Sequence, residues 1–351
     1  MARAVHQSGV HPSGFGYIAR MPVILQPDSA AIAQCAERLR RGHAVAFPTE
    51  TVYGLACDST SEAAVAEVYR LKQRPSSNPL IAHVLDAAMA KRTVIGWDIR
   101  AQKLADAFWP GPLAIILPRR TEICASSVGG RTTVAVRAPA HPVARALIEA
   151  FGGPLSAPSA NRSGRISPTS AADVAAEFAD IDDLPILDGG PCEVGLESTV
   201  LDLSRARPAV LRPGAVTTDD LSRVLGTPVT IFASHTQGAS PGTSASHYAP
   251  DTRAELVAER DLAARLAQET SAVAVIAPAG TAVPAPHELF ALPRHASAYA
   301  QMLYSTLRRA DSTRPAAILI VPPTETGGLW DAARDRLMRA TARRNSSAAK
   351  S

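Results

Sequence analysis

The sequence predicts an α/β protein in two parts, a larger unit of one sheet covered by helices and a smaller unit joined to it by a polar linker. Short apolar runs of strand length alternate along the chain with runs whose apolar residues recur at helical spacing. Gly and Pro stand at many of the run ends, where they break regular structure. At 351 residues the chain also exceeds what one core usually fills.

In order, 22–25 is a short strand, and Asp28 is an N-cap ahead of Ala31, Ile32, Cys35, Ala36 and Leu39 at helical spacing, with Gly42 stopping that helix. Residues 44–47 read as a buried strand, 62–71 as a helix, 80–84 as a strand and 99–108 as a helix. Strands follow at 113–117 and 134–136, a helix over 142–150, a short run to Pro158, and a helix over 171–178. Strands at 199–203 and 210–211 and a helix over 219–225 complete the first part. The prolines at strand ends predict a site lined by loops rather than helices. From 233 to 250 the composition turns to Ser, Thr, Gly, Ala and His, that of a linker. Beyond it, strands at 253–257, 272–276 and 317–321 alternate with helices at 262–268, 297–309 and 330–338. Tyr299, Leu303 and Leu307 share one helical face and read as core. The expected divisions are a disordered or optional tail over 1–20, a first domain over 21–232, the linker over 233–250, a small domain over 251–340, and a basic Ser-rich tail over 341–351. No internal repeat links the two domains.

Composition excludes several classes. No apolar run approaches the roughly 18–20 residues of a membrane helix, which predicts a soluble protein without a membrane partner. Net charge is +4 with a pI near 9.0, and the scattered basic residues permit weak RNA contact without arguing for it. Cys35, Cys57, Cys124 and Cys192 form no C-x-x-C pair, so neither a zinc site nor a disulfide framework is expected, and a cytoplasmic location follows. Residues 1–20 contain no acid and no apolar core of a secretory signal.

No phosphate-binding G-x-x-x-x-G-K-[ST] loop and no G-x-G-x-x-G turn is present, so a nucleotide must be held another way. The run Phe47-Pro48-Thr49-Glu50-Thr51-Val52-Tyr53-Gly54-Leu55 joins an apolar strand to a hydroxyl-rich turn. Lys72 and Arg74, before Pro75 and Asn78-Pro79-Leu80-Ile81, are candidates for phosphates. Equally, they complement the dipole at the end of the preceding helix. Ser159 and Asn161 in Pro158-Ser159-Ala160-Asn161, with Ser167 further on, make a loop dense in donors; Ser-Ala-Asn is also ordinary turn chemistry. Thr133-Val134-Ala135-Val136-Arg137 ends a strand in a cation with no evident partner, suited to forking onto a carboxylate. A histidine at a strand end, such as His83, is commonly structural. Tyr248 in His247-Tyr248-Ala249-Pro250 has no core within its own segment and needs a docking place.

Taken in this order, these segments, with Gly195-Leu196-Glu197-Ser198-Thr199 and Leu211-Arg212-Pro213-Gly214, resemble the threonylcarbamoyl-AMP synthase family in its longer form, over about 22–340. The resemblance implies a YrdC-like twisted mixed sheet with flanking helices and an open cleft, followed by a smaller Rossmann-like α/β domain. It implies catalytic roles for Lys72, Arg74, Ser159 and Asn161. It places Lys72, Arg74, Asn78, Thr133, Asn161, Ser167, Arg212 and Tyr248 against ATP, and Thr49, His83, Arg137, Ser159 and Ser198 against L-threonine. The linker would fold over the site as a lid.

The activity so implied joins ATP, L-threonine and bicarbonate into L-threonylcarbamoyl-AMP and pyrophosphate for a tRNA modification. Magnesium would come with ATP and no metal would be held by protein side chains. A threonylcarbamoyl transferase would take the product. No carboxylate pair or His/Ser triad is evident or needed for this chemistry. Two alternatives remain at this point: a carbamoyl-adenylate-forming enzyme, and an RNA-binding module without catalysis.

Overall fold

The structure, a computed structural model, describes residues 21–232 and 247–342. The expected N-terminal tail, linker positions 233–246 and the tail from 343 lie outside the described residues. The first part comprises β1 (Val23–Leu25), α1 (Ser29–Arg40), β2 (Val45–Phe47), β3 (Gly54–Asp58), α2 (Glu62–Lys72), β4 (Ile81–His83), α3 (Ala87–Lys91), α4 (Ile99–Phe108) and β5 (Leu113–Pro118). It continues with β6 (Thr133–Arg137), α5 (Pro142–Phe151), β7 (Leu155–Ala157), α6 (Ala171–Glu177), β8 (Pro185–Leu187), β9 (Thr199–Asp202), β10 (Ala209–Arg212), α7 (Thr218–Leu225) and β11 (Thr230–Ile231). The second part holds β12 (Ala254–Leu256), α8 (Leu262–Leu266), β13 (Ala274–Pro278), β14 (Glu288–Leu292), α9 (Ala296–Ser312), β15 (Ile318–Ile320) and α10 (Leu329–Thr341).

The first part builds one mixed sheet of 11 strands in the order β1-β8-β2-β3-β7-β4-β6-β5-β9-β10-β11. Period-2 alternation divides its side chains between two faces. Val45 and Phe47 of β2 join a core with α1, α4, α5 and α7, whereas Ala46 joins a second core with α2 and α6 on the opposite face. Further along the sheet, Val134 and Val136 face the first core. On the opposite side Ile81, Ala114, Ile116, Ala135, Val200 and Leu211 form an apolar group that includes no helix residue. No helix among the described residues joins this floor, and Ile81 at its margin lines the candidate site.

Helix ends are set locally. Asp28 accepts from the Ala31 amide at 2.8 Å, and Ser170 with Asp173 and Thr217 with Asp220 form capping boxes at the starts of α6 and α7. Helix α2 stops where Gln73 takes a left-handed φ of 51°, just before Pro75, which cannot continue it. The stop projects Lys72 and Arg74 toward the sheet.

The second part is a four-stranded parallel sheet in the order β12-β15-β13-β14, with α9 and α10 on one face and α8 on the other. Tyr299, Leu303 and Leu307 are buried there, as their spacing predicts. The same cluster takes in Val52, Ile166 and Leu196 of the first part, and Tyr248. Tyr248 therefore finds outside its own segment the docking place that its ring needs. Its core is supplied by α9, some fifty residues downstream. Among the described residues, no helix is long and apolar enough to cross a membrane.

Candidate active site

A cavity of about 50 Å³ lies beside Ile81 at the margin of the uncovered floor. Its walls come chiefly from strand ends and loops: Thr49, Thr51, Val52 and Gly54 after β2, Arg74 after α2, His83 of β4, Arg137 of β6, Ala157, Pro158 and Ser159 from β7, Glu197 before β9, Arg212 of β10, and His247 with Tyr248.

Register brings the first group together. His83 and Arg137 are directly opposed on parallel strands β4 and β6, so both project to the same face. Thr49 shapes the turn before β3: its Oγ1 donates to the Val52 carbonyl at 2.6 Å and lies 2.8 Å from Thr51 Oγ1. The His83 Nδ1 lies 3.1 Å from the Ile81 carbonyl, and burial, reinforced by the Arg137 charge, pushes the ring down to about 3. It is therefore a neutral group at physiological pH.

Arg137 is not without a partner. Its Nη2 lies 2.7 Å from Glu50 Oε1 in a buried ion pair, close but not aligned as a hydrogen bond, and its Nε donates to the Gly111 carbonyl at 3.3 Å. The expectation of an unpartnered cation is corrected by a carboxylate 87 positions earlier in the chain. Burial alone would raise the pKa of Glu50, yet Arg137 holds it below the ordinary carboxylate value.

Lys72 is buried behind the wall. Its Nζ donates to the carbonyl of Ser159 at 2.5 Å and to that of Asn161. Burial, then the neighbouring Arg74 charge, holds the ammonium pKa well below its ordinary value. Arg74 reaches the cavity while donating to the carbonyls of Asn78 (3.3 Å) and Pro79 (3.1 Å). Asn161 anchors the loop through Nδ2 to the carbonyls of Arg162 and Arg165 at 2.7 and 2.9 Å, and its buried Oδ1 has no partner among the described residues. The Lys-x-Arg segment and the Ser-Ala-Asn loop, far apart in sequence, thus meet.

On the remaining side Arg212 donates to the Ser198 carbonyl at 3.0 Å and to Ser198 Oγ at 3.1 Å. Ser167 Oγ donates to Glu197 Oε1 at 2.6 Å. Tyr248 is buried with φ at +61°, uncommon for a large residue, and its ring stacks on Tyr304 at 5.6 Å. Gly214 lets the loop after β10 lie against the backbone of residues 197–199: a Cβ there would meet the Thr199 backbone nitrogen at 2.4 Å.

Of the residues expected at the site, Thr49, Arg74, His83, Arg137, Ser159, Arg212 and Tyr248 line the cavity. Lys72, Asn161, Ser167 and Ser198 do not line it but are bonded to residues that do, Asn161 through its amide to the Ser159 carbonyl at 3.0 Å. Asn78 lies behind Arg74 and offers its carbonyl. Thr133 is not at the cavity: it opens β6 four residues before Arg137, on the same face, so roughly 13 Å of strand separates them along the uncovered floor.

Sequence reasoning gave no role to Glu50 or Glu197, nor to Tyr304 and Arg336. A usable signal existed for the two acids. Each is a lone charge in a run of apolar and hydroxyl residues, and such acids are buried only when paired.

Because His83 and His247 are both held to about 3 by burial, the unfolded chain takes up protons near the ordinary value of 6.5 that the folded chain refuses. Stability is therefore expected to fall as pH drops from about 6.5 toward 3, with a further loss below about 4.5 as Glu50 and Glu197, both held low when folded, are protonated. Thermal melting points at pH 7.5 and 5.0 check this, and equal values would contradict it.

The comparisons with known proteins agree across both parts of the chain. A family model described as telomere recombination matches residues 37–214, and one described as the C-terminal domain of threonylcarbamoyl-AMP synthase matches residues 216–342. The threonylcarbamoyl-AMP synthase of Pyrococcus abyssi is 38% identical over 318 residues, covering 86% of this chain and 92% of that protein. Its counterpart in Bacillus subtilis is 42% identical over 231 residues, covering 64% and 66%. Two solved structures of the P. abyssi protein Sua5 share the fold. One, with two alanine substitutions, has a TM-score of 0.84 at 34% identity over 92% of this chain and 96% of that one. The other, a complex with L-threonine, has a TM-score of 0.82 at 35% identity over 92% and 97%. With both models matched in sequence order and a full-length relative sharing more than a third of its residues, this chain belongs to the two-domain threonylcarbamoyl-AMP synthase family.

Proposed function

We propose that this enzyme converts ATP, L-threonine and bicarbonate to L-threonylcarbamoyl-AMP and pyrophosphate, for the threonylcarbamoyl-adenosine modification of tRNA. The observation that carries the reading is that three guanidinium groups, those of Arg74, Arg137 and Arg212, and one carboxylate, that of Glu197, line a single cavity. Arginine does not lose its proton in proteins, so this excess of buried cations favours anionic ligands.

Arg137, with Thr49 and His83, forms the amino-acid half. Because Glu50 already holds Nη2, the two-bond fork implied by the resemblance would have to share that nitrogen with Glu50. The Nη1 end is the one left for the substrate carboxylate. Arg74 and Lys72 form the phosphate half, with Ser167, Arg212 and Tyr248 on the nucleotide side. The base and ribose would lie along the apolar floor of Ile81, Ile116 and Ala135 toward Thr133. The cavity, about 50 Å³, is smaller than the roughly 300 Å³ of a small-molecule site, so the substrates would extend beyond it along that floor.

Bicarbonate takes up a proton and loses water to give carbon dioxide, to which the amine of L-threonine adds with loss of a proton, giving a carbamate. A carbamate oxygen then forms the bond to the α-phosphorus as the bond to the β-phosphate oxygen breaks and pyrophosphate leaves with the electron pair. Little covalent work falls to the protein, whose cations position the reactants and offset the charge growing on the phosphoryl oxygens. Magnesium belongs with the substrate phosphates, where it keeps much of its water. Among the described residues no group of three or more His, Cys, Asp and Glu side chains is placed to hold it. A threonylcarbamoyl transferase acting on tRNA would consume the product. The test is pyrophosphate release from ATP, expected only when L-threonine and bicarbonate are both present. Release that needs an added carbamoyl donor in place of threonine and bicarbonate would point to carbamoyl-adenylate formation, and no release in any combination would remove the reading.

A further inference from the structure

Glu197 poses a problem for a nucleotide site, because its carboxylate stands on the wall of a cavity read above as taking a polyanion. Like charge in a water-poor site strongly opposes binding. The counter-charge comes from the second part of the chain. Arg336, on α10, is fully buried and its Nε donates to Glu197 Oε2 at 2.9 Å. Tyr304, on α9, donates its hydroxyl to the same carboxylate, at 3.0 Å to Oε2. The Arg336 guanidinium also lies 5.5 Å from the centre of the Tyr248 ring, and Tyr248 stacks on Tyr304. Two residues that do not line the cavity thus fix two that do.

The backbone is built for this meeting. Gly195, two residues before Glu197, has a φ of +75°, and a Cβ there would fall 2.5 Å from the Cα of Gln301 on α9. Only glycine lets the loop press against that helix closely enough for the carboxylate to reach Tyr304. The Arg137 and Glu50 pair takes no part in these contacts.

We infer that Arg336 and Tyr304 are positioning residues for the nucleotide: they cancel and hold the Glu197 charge, so that Ser167, Arg212 and Tyr248 present a fixed, net-positive wall to ATP. This inference rests on the reading that ATP occupies the cavity. A purely structural role would weaken both substrates alike, whereas charge cancellation at Glu197 acts on the nucleotide alone.

The experiment is calorimetric titration of the full-length protein with ATP and, separately, with L-threonine. Arg336→Met keeps the bulk and removes the charge. It is expected to weaken ATP at least about tenfold and L-threonine by less than about twofold, because a buried carboxylate is left uncompensated on the nucleotide wall alone. Adding Glu197→Gln to Arg336→Met is expected to recover at least about fivefold of the lost ATP affinity, since the repelling charge is then gone. Equal weakening of both ligands, or a double variant no better than Arg336→Met, overturns the inference. Should Arg336→Met fail to fold, Tyr304→Phe keeps the ring stack and removes only the hydroxyl. It is expected to weaken ATP about threefold with L-threonine unchanged, and unchanged ATP affinity overturns the inference. ATP that does not bind the unaltered protein at all would instead overturn the proposed function itself.

Discussion

Lys72→Ala is expected to lower the turnover of pyrophosphate release at least about tenfold at saturating substrates, because it removes a donor group from the phosphate side of the site. It also removes the donor that the Ser159 and Asn161 carbonyls share. The melting point should drop by a few degrees, as an unsatisfied buried acceptor costs about 1–3 kcal/mol. Lys72→Met separates the two effects from lost bulk. Arg74→Ala should depress turnover similarly while disturbing the fold less, since its guanidinium donates to carbonyls at the longer distances of 3.1 and 3.3 Å. Steady-state assays with circular dichroism as a folding control decide the matter. Near-unaltered turnover in both variants would return these cations to the dipole at the end of α2.

Arg137→Ala is expected to raise the Michaelis constant for L-threonine by at least about tenfold while leaving that for ATP within about twofold, since the lost charge-assisted contact serves only the amino-acid carboxylate. It also strands Glu50, and breaking a buried ion pair from one side typically costs about 3–5 kcal/mol. Adding Glu50→Gln should restore much of the stability without restoring threonine affinity. Equal changes in both Michaelis constants would contradict the assignment of Arg137 to the amino acid.

How much of this was legible in the sequence depends on whether the signal is local. The strand and helix alternation, the Asp28 cap and the stop after Lys72 follow from neighbouring residues, and they stand in the structure to within a few residues. Strand β3, Gly-Leu-Ala-Cys-Asp, starts with Gly and has no β-branched residue. Its pairing with β2 and β7 is what makes it a strand. Strands β7 and β8 have three residues each, too few for a period to show. At the site the Lys-x-Arg and Ser-Ala-Asn segments were legible as dense polar motifs, although only folding joins Lys72 Nζ to the Ser159 carbonyl.

The charge pairing was not legible. Glu50 meets Arg137 through the juxtaposition of the loop after β2 with the end of β6, and Glu197 meets Arg336 across 139 positions and two sheets. Tyr304 and Arg336 sit on helices whose pattern gives no hint that they reach a cavity. For Tyr248, composition described a linker because the aromatic cluster that receives its ring belongs to another segment.

The account stands or falls on a three-substrate adenylation, and the most direct measurement follows labelled bicarbonate carbon into an adenylate. With the purified protein, ATP, L-threonine and carbon-labelled bicarbonate, the account predicts one labelled nucleotide with the mass of L-threonylcarbamoyl-AMP, formed in step with pyrophosphate and absent when threonine is omitted. Labelled adenylate formed without threonine, or pyrophosphate released with no labelled nucleotide, would contradict it.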